Sequence, residues 1–326
     1  MPRGAGIWTF QILITGEWRV LKLPSRLSQD LVKDCWRRWK VIDLPPEVRA
    51  WLAEKGQGEV LSTDQAGGGC IHRACVLHTA GGGRYFLKTN PDPPAGIFVA
   101  EAAGLKALQV PGGPAIPGVF LVGEKFLLLE DLQPAPRQKD FWPVYGRQLA
   151  HIHRQTHPRF GFPEDNYIGS SPQLNGWMDD GVDFFREKRL IPQLRWGRET
   201  GWLTPADLRQ CEKLLDKLED LIPEQPAVLV HGDLWSGNLI TDSEGRPALI
   251  DPAVYYGWAE ADLAMADLFG RYPDSFYAAY TELNPLPSGY RERYPLYNLY
   301  HLLNHLNLFG RSYLPGVREV LRRFVN

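Results

Sequence analysis

Cysteine is scarce: the chain of 326 residues has four, Cys35, Cys70, Cys75 and Cys211. Their spacing matches no zinc pattern, and so few in so long a chain do not make a disulfide framework. A reducing cytosol is the expected compartment. Long apolar runs are missing as well. No stretch approaches the roughly 20 residues needed to span a bilayer, so no membrane partner is expected. The apolar run 6–14 follows Arg3 but is interrupted by Thr9 and Gln11. It leads into Thr15-Gly16-Glu17-Trp18-Arg19 with no small-x-small cleavage site, which argues against export. Neither sign of charge dominates. The formal net charge is -2, and Arg37-Arg38 and Arg322-Arg323 are too short for a basic tract, so no nucleic-acid partner is expected. There is no internal repeat or low-complexity segment. The absence of Gly-x-x-x-x-Gly-Lys-Ser/Thr points away from a P-loop ATPase. What remains is an ordinary globular composition, 44% hydrophobic and 23% charged, long enough for two lobes around a cleft.

The chemistry-bearing segment is His231-Gly232-Asp233-Leu234-Trp235-Ser236-Gly237-Asn238, with Asp251-Pro252 thirteen residues beyond Asn238. Phosphoryl transfer needs a carboxylate that orients the attacking hydroxyl and takes its proton. It also needs oxygen ligands holding Mg²⁺ against the nucleotide phosphates. Asp233 fits the first role; Asn238 and Asp251 fit the second. An Asp, an Asn five residues on, then a metal-binding Asp after a short hairpin is the order of a kinase catalytic loop. The apolar run 227–230 predicts a buried strand feeding the loop. Residues 239–240 and 248–250 predict two strands turning through Asp242 to Gly245. Each piece alone could be an ordinary turn; their combination is hard to reach by chance.

The fold class expected is α+β: a two-lobe, protein-kinase-like fold with a β-rich N-terminal lobe and a mainly helical C-terminal lobe. Residues 1–42 read as an extension without an assigned role, containing a hairpin of 8–14 and 18–23 around Thr15-Gly16. Residues 43–132 read as the nucleotide-binding lobe. A short helix at 45–56 is followed by strands at 58–65, 70–78 and 84–89, a helix at 98–109, and strands at 119–122 and 125–129. Gln133-Pro134-Ala135-Pro136 is a hinge. Residues 133–326 read as the catalytic and substrate lobe, with helices at 143–155, 177–196, 205–221, 259–269 and 294–309.

On the nucleotide side, Gly67-Gly68-Gly69 between the first two strands of that lobe would let backbone N–H groups approach phosphates. By itself a triple glycine is a weak sign. Lys88, on the third strand, is placed to reach the α- and β-phosphates, and Glu101 on the next helix to pair with it.

Taken together, these stretches resemble the fructosamine (ketosamine) kinase family, within the aminoglycoside-phosphotransferase-like kinases. The resemblance runs from about residue 44 to the C-terminus. It rests on Gly67 to Ile71, Tyr85 to Lys88, Gln173-Leu174-Asn175-Gly176-Trp177, His231 to Asn238, Asp251 to Gly257, and Leu303-Asn304-His305-Leu306-Asn307. Leu234-Trp235-Ser236 inside the loop, with Tyr256-Gly257 after the metal Asp, is its specific part. The resemblance implies ATP- and Mg²⁺-dependent phosphorylation of a ketoamine at its third-carbon hydroxyl. The ester then decomposes and frees the amine. It implies Asp233 as base, Asn238 and Asp251 as metal ligands, Lys88 on the phosphates and Glu101 positioning that lysine. Glu130, Asp131 and Leu132 would lie along the adenine through backbone groups. Trp235 would wall the sugar, with Trp177 and Asp180 further candidates on the substrate side. Asp262 would hold the catalytic loop. The first 40-odd residues depart from the family pattern.

Other readings stay open at this point. The acceptor could be another small hydroxyl compound, such as an aminoglycoside or an amino alcohol, or the chain could be an inactive nucleotide-binding scaffold. The ketoamine could be free or carried on a peptide or protein. His151 and His153 face opposite ways on a helix, and the His301/His305 pair lacks a zincin carboxylate, so both read as core or cleft-lining residues. Cys70, ending the glycine loop, is a candidate redox thiol, and a homodimer linked through it is left open.

Overall fold

The computed structural model describes residues 7–14, 17–24, 44–66 and 72–325. Gly67, Gly68, Gly69 and Cys70, the expected phosphate loop and redox thiol, lie outside the described residues. The chain divides into two compact units, 1–56 and 57–326. In the first, β1 (Ile7–Ile14) and β2 (Glu17–Pro24) pair antiparallel with Ile14 opposite Glu17, the hairpin the sequence predicts. The same unit holds helix α1 (Pro46–Glu54), with Pro46 in its first turn, where a missing N–H costs nothing.

The second unit opens with a five-stranded antiparallel sheet. It comprises β3 (Val60–Gln65), β4 (Arg73–Thr79), β5 (Arg84–Thr89), β6 (Val119–Val122) and β7 (Phe126–Glu130), ordered β3-β4-β5-β7-β6. Alternation sets its faces: Cys75, Leu77 and Thr79 of β4 are buried while their neighbours are not, as a period of two requires. Helix α2 (Ile97–Ala107) packs Phe98 and Leu105 against Leu127 and Leu129 of β7. One side of the central strand β5 therefore faces α2.

Helices dominate beyond residue 140. Helix α3 (Phe141–His153) leads to the short strands β8 (Thr156–His157), β9 (Asn166–Ile168) and β10 (Ser171–Gln173). The continuous helix expected over 177–196 is broken. Residues 177–180 are extended or bent, α4 is Gly181–Phe184, a π turn covers Phe185–Leu190, and α5 is Ile191–Glu199. The late start comes with Asp180 capping α4; the π turn follows from Pro192, which has no N–H to give the carbonyl of Lys188. The Arg189 guanidinium donates to that carbonyl instead, at 3.1 Å. The helix expected over 205–221 also divides, into α6 (Pro205–Leu215) and α7 (Leu218–Leu221).

Strand β11 (Ala227–Val230), buried at all four positions, lies between β8 and β14 (Tyr255–Gly257). Between them the hairpin β12 (Leu239–Thr241) and β13 (Pro247–Leu249) pairs Leu239 with Leu249. Its turn is the expected one: Asp242 Oδ1 accepts from the backbone N–H of Glu244 and of Arg246, both at 2.9 Å. Helices α8 (Ala259–Leu268), α9 (Asp274–Leu283), α10 (Tyr290–Phe309) and α11 (Leu314–Val325) complete the chain. A large core unites α3, α8, α9 and α10 around Tyr145, Leu263, Phe276 and Leu303.

Candidate active site

Val230 delivers the chain into His231-Gly232-Asp233, and the loop is held from behind. Asp262 on α8 accepts the backbone N–H of His231 (2.6 Å) and of Gly232 (2.8 Å). Its Oδ2 also meets His153 Nε2 at 3.2 Å, and His153 Nδ1 lies 2.8 Å from the Tyr280 hydroxyl. Asn284 donates to that hydroxyl at 2.6 Å, so the phenol O–H is left to donate to Nδ1, and Nε2–H to donate to Asp262. Burial alone would push the Asp262 carboxyl up. The hydrogen bonds from His153 and the loop outweigh it and hold the carboxyl below its ordinary range.

The loop has one backbone position only glycine can fill. Gly232 has φ +81°, and a Cβ there would lie 2.0 Å from the Ala253 carbonyl oxygen. His231 is fixed through both ring nitrogens, with Nε2–H donating to the Ile250 carbonyl at 2.9 Å and Nδ1 accepting from the Asp233 N–H at 3.3 Å. Burial lowers its pKa despite the nearby carboxylates, which keeps the neutral tautomer that this pattern needs.

Asp233 is half-buried, and desolvation pushes its pKa up to about 7. Asn238 works against that rise, while Asp251 and Asp262 add to it. Asn238 spends its amide nitrogen on Asp233, donating to Oδ2 at 3.0 Å and to the backbone carbonyl at 2.8 Å. Its side-chain oxygen is thereby turned away from Asp233. Asp251 has φ +55°, a left-handed backbone that a non-glycine residue adopts at a cost. Its carboxylate pairs with the Lys88 ammonium, and 41% of its side-chain surface remains exposed.

Lys88 Nζ also donates to Glu101 at 2.6 Å, so the pair expected from the sequence is present. Burial would lower the lysine pKa, but the two carboxylates outweigh it and raise it. Glu101 is raised: desolvation and the Asp251 charge exceed what Lys88 returns. One cation is serving two anions.

The segment after β7 is tied by side chains. Glu130 accepts the Gly118 N–H at 3.0 Å; Asp131 accepts Arg84 Nε at 2.8 Å and the Gln133 N–H at 3.2 Å. Leu132, next in the chain, is half-buried. With those carboxylates engaged and the Glu130 N–H given to the Gly118 carbonyl at 2.8 Å, the remaining backbone groups of Glu130, Asp131 and Leu132 are what this segment has to offer a ligand. Trp235 packs against Gly237, where a Cβ would come within 2.2 Å of the indole, and stays 36% exposed.

Two candidates are not gathered here. Trp177 stacks on His157, ring centroids 4.2 Å apart, and His157 pairs with Ala227. That is the far end of β11, about 13 Å of strand from His231 at a rise of about 3.3 Å per residue. Asp180 caps α4, accepting the Asp183 N–H at 2.8 Å. Packing and capping account for both.

Arg189, to which the sequence reading gave no role, is 1% exposed. It stacks on Tyr255 at 4.0 Å and Phe184 at 4.6 Å and donates to the Leu174 carbonyl and to Asn175 Oδ1. It thus ties the 173–177 stretch to the strand beside the catalytic loop. An arginine amid Phe184, Phe185, Leu190 and Ile191 was the available signal. His301 is buried, and His305 Nδ1–H donates to its carbonyl at 2.7 Å, a core arrangement.

The Asp262 clamp makes a quantitative prediction. Asp262→Ala strands two buried N–H groups and His153, a loss of about 3–5 kcal/mol, or a melting temperature lower by about 10 °C. Because the folded-state pKa is depressed, the gap from wild type is full at neutral pH. It closes as pH falls through the carboxylate range. Melts unchanged at pH 7 would show that Asp262 does not hold the loop.

A sheet-and-helix lobe carrying a Lys–Glu pair, set against a helical part carrying Asp233, Asn238 and Asp251, defines a protein-kinase-like phosphotransferase. Among the described residues no helix is long and apolar enough to cross a membrane. The chain belongs to the fructosamine kinase family, whose model matches residues 46–326. It is 40% identical over 261 residues to a probable ketoamine kinase of Synechocystis, covering 78% of this chain and 88% of that protein. It is 36% identical over 286 residues to a chloroplastic protein-ribulosamine 3-kinase of Arabidopsis thaliana, covering 84% and 86%. A crystal structure from Thermobifida fusca, named as a candidate fructosamine-3-kinase, superposes with a TM-score of 0.77 at 37% identity over 85% of this chain and 97% of that one. An aminoglycoside phosphotransferase shares the fold alone, with a TM-score of 0.55 at 20% identity over 86% and 99% of the two chains.

Proposed function

We propose that this chain is an ATP-dependent ketoamine kinase that phosphorylates the third-carbon hydroxyl of a sugar–amine adduct. The single observation that carries the reading is the geometry at the half-buried Asp233: Asn238 fixes its carboxylate beside the Lys88–Asp251 pair, and desolvation raises its pKa to about 7. A base of that strength is matched to neutral pH. Asp233 accepts the proton of the acceptor hydroxyl as its oxygen bonds to the γ-phosphorus. The bond from that phosphorus to the bridging oxygen breaks, and ADP leaves with the electron pair. Lys88 holds the phosphates and Glu101 holds Lys88. The free side-chain oxygens of Asn238 and Asp251 are hard donors of the kind Mg²⁺ prefers; the ion, when bound, would neutralise phosphate charge. Backbone groups of residues 130–132 would line the adenine.

Trp235 offers the sugar an exposed aromatic face. The phosphate ester, once formed, decomposes to release the amine, so the net result is deglycation. The names of the relatives from Synechocystis and Arabidopsis support the acceptor class. The free, buried thiols of Cys75 and Cys211 are compatible with a cytoplasmic setting.

The test is Mg-ATP-dependent phosphorylation of fructosyl-lysine, ribulosyl-lysine, an aminoglycoside and choline. Phosphate on a ketoamine is expected. Phosphate on choline or the aminoglycoside alone would keep the phosphotransferase and discard the ketoamine; none on any, with ATP bound, would favour a scaffold.

A further inference from the structure

Beyond Trp235, a line of rings plays no part in the chemistry above. Trp235 is the first ring of an aromatic stripe that runs on through Phe269 and His305 to Phe309. Its indole meets Phe269 edge-on at 6.1 Å, just past the end of α8. Phe269 lies 5.4 Å from His305, which lies 5.5 Å from Phe309 and 5.0 Å from Tyr313. Phe269 is 44% exposed and Phe309 52% exposed. His305 is held in line by its bond to the His301 carbonyl. Solvated phenylalanines at the end of a helix carry no folding benefit that a polar residue would not match, and contiguous exposed apolar surface marks a contact site.

We propose that this stripe docks the amine carrier of the ketoamine, a peptide or protein segment with apolar side chains beside the modified lysine. The inference rests on the ketoamine reading. A ketoamine has two ends: its sugar hydroxyl must meet Asp233, and its carrier must continue outward past Trp235. The stripe continues from that ring. Its three steps from Trp235 to Phe309 match about four or five residues of extended chain. Its size also selects the occupant. Three half-exposed rings offer about 300 Å², well short of the about 800 Å² per partner that a stable dimer needs. A short segment is what fits.

The experiment compares kcat/KM for free fructosyl-lysine with two peptides of equal length carrying the same adduct, one flanked by Leu and Phe, the other by Ser and Gly. Wild type is expected to favour the apolar-flanked peptide by about tenfold or more. Phe309→Ala removes that preference and leaves free fructosyl-lysine within about twofold, because Phe309 is exposed and stands three ring contacts from Trp235. Phe309→Leu keeps part of it. Equal rates on the two peptides, or a preference that survives Phe309→Ala, overturns the docking proposal while the kinase reading stands. So does a wild-type dimer that Phe309→Ala converts to monomer, which would make the stripe a contact between copies. Failure to phosphorylate any ketoamine, free or peptide-borne, removes both readings.

Discussion

Asp233→Asn is expected to fold, to bind ATP, and to turn over about 10²- to 10⁴-fold more slowly than wild type, the range for loss of a general base. The substitution is isosteric, and an amide oxygen can still accept the Asn238 N–H that now reaches Oδ2 at 3.0 Å. What disappears is the capacity to take a proton. Stability should not fall, since the native carboxylate is half-buried and partly desolvated, and a neutral amide is easier to bury. The informative pair of measurements is kcat and the ATP-induced shift in melting temperature. A shift equal to wild type with turnover lost places the defect in the chemical step. Turnover near wild type would remove Asp233 from the mechanism.

The parts of this site that were legible in the sequence are those where chemistry and chain order coincide. Asp233, Asn238 and Asp251 fall within 19 consecutive residues, and hairpin β12–β13 brings the ends of that segment together by local pairing. Lys88 and Glu101 are likewise joined by one strand and the next helix. The turn at Asp242 to Gly245 was readable because Asp and Gly have specific turn roles. What was not legible depends on distant partners. Trp177 sits beside a helix start, and nothing local says that its ring will stack on His157. The π turn over Phe185–Leu190 arises from Pro192 together with a side chain, Arg189, that serves the stranded carbonyl. A periodicity of 3.6 residues cannot see that. Helices α9 and α11 lie beyond the elements expected from the sequence, although Asp274 and Pro315 stand in their first turns. The left-handed backbone of Asp251 is imposed by the loop it closes; Asp tolerates that region better than most residues, but the residue alone does not announce it.

Lys88→Met should be the most damaging single change in the cleft. The lysine is 8% exposed and is hydrogen-bonded to both Glu101 and Asp251. Removing it leaves Glu101, 11% exposed, without a cation and next to a second carboxylate. Loss of one partner from a buried ionic group costs about 3–5 kcal/mol, and nucleotide binding should be lost with it. Glu101→Gln is expected to be milder, because Lys88 keeps Asp251. The double variant Lys88→Met/Glu101→Gln separates stability from function. With no buried charge left unpaired on the α2 side, it should recover most of the lost unfolding free energy while ATP binding stays absent. If the double variant is as unstable as Lys88→Met, packing of the lysine stem, and not charge balance, is what Lys88 contributes to the fold. If either variant retains wild-type ATP affinity, Lys88 is not the residue that holds the phosphates.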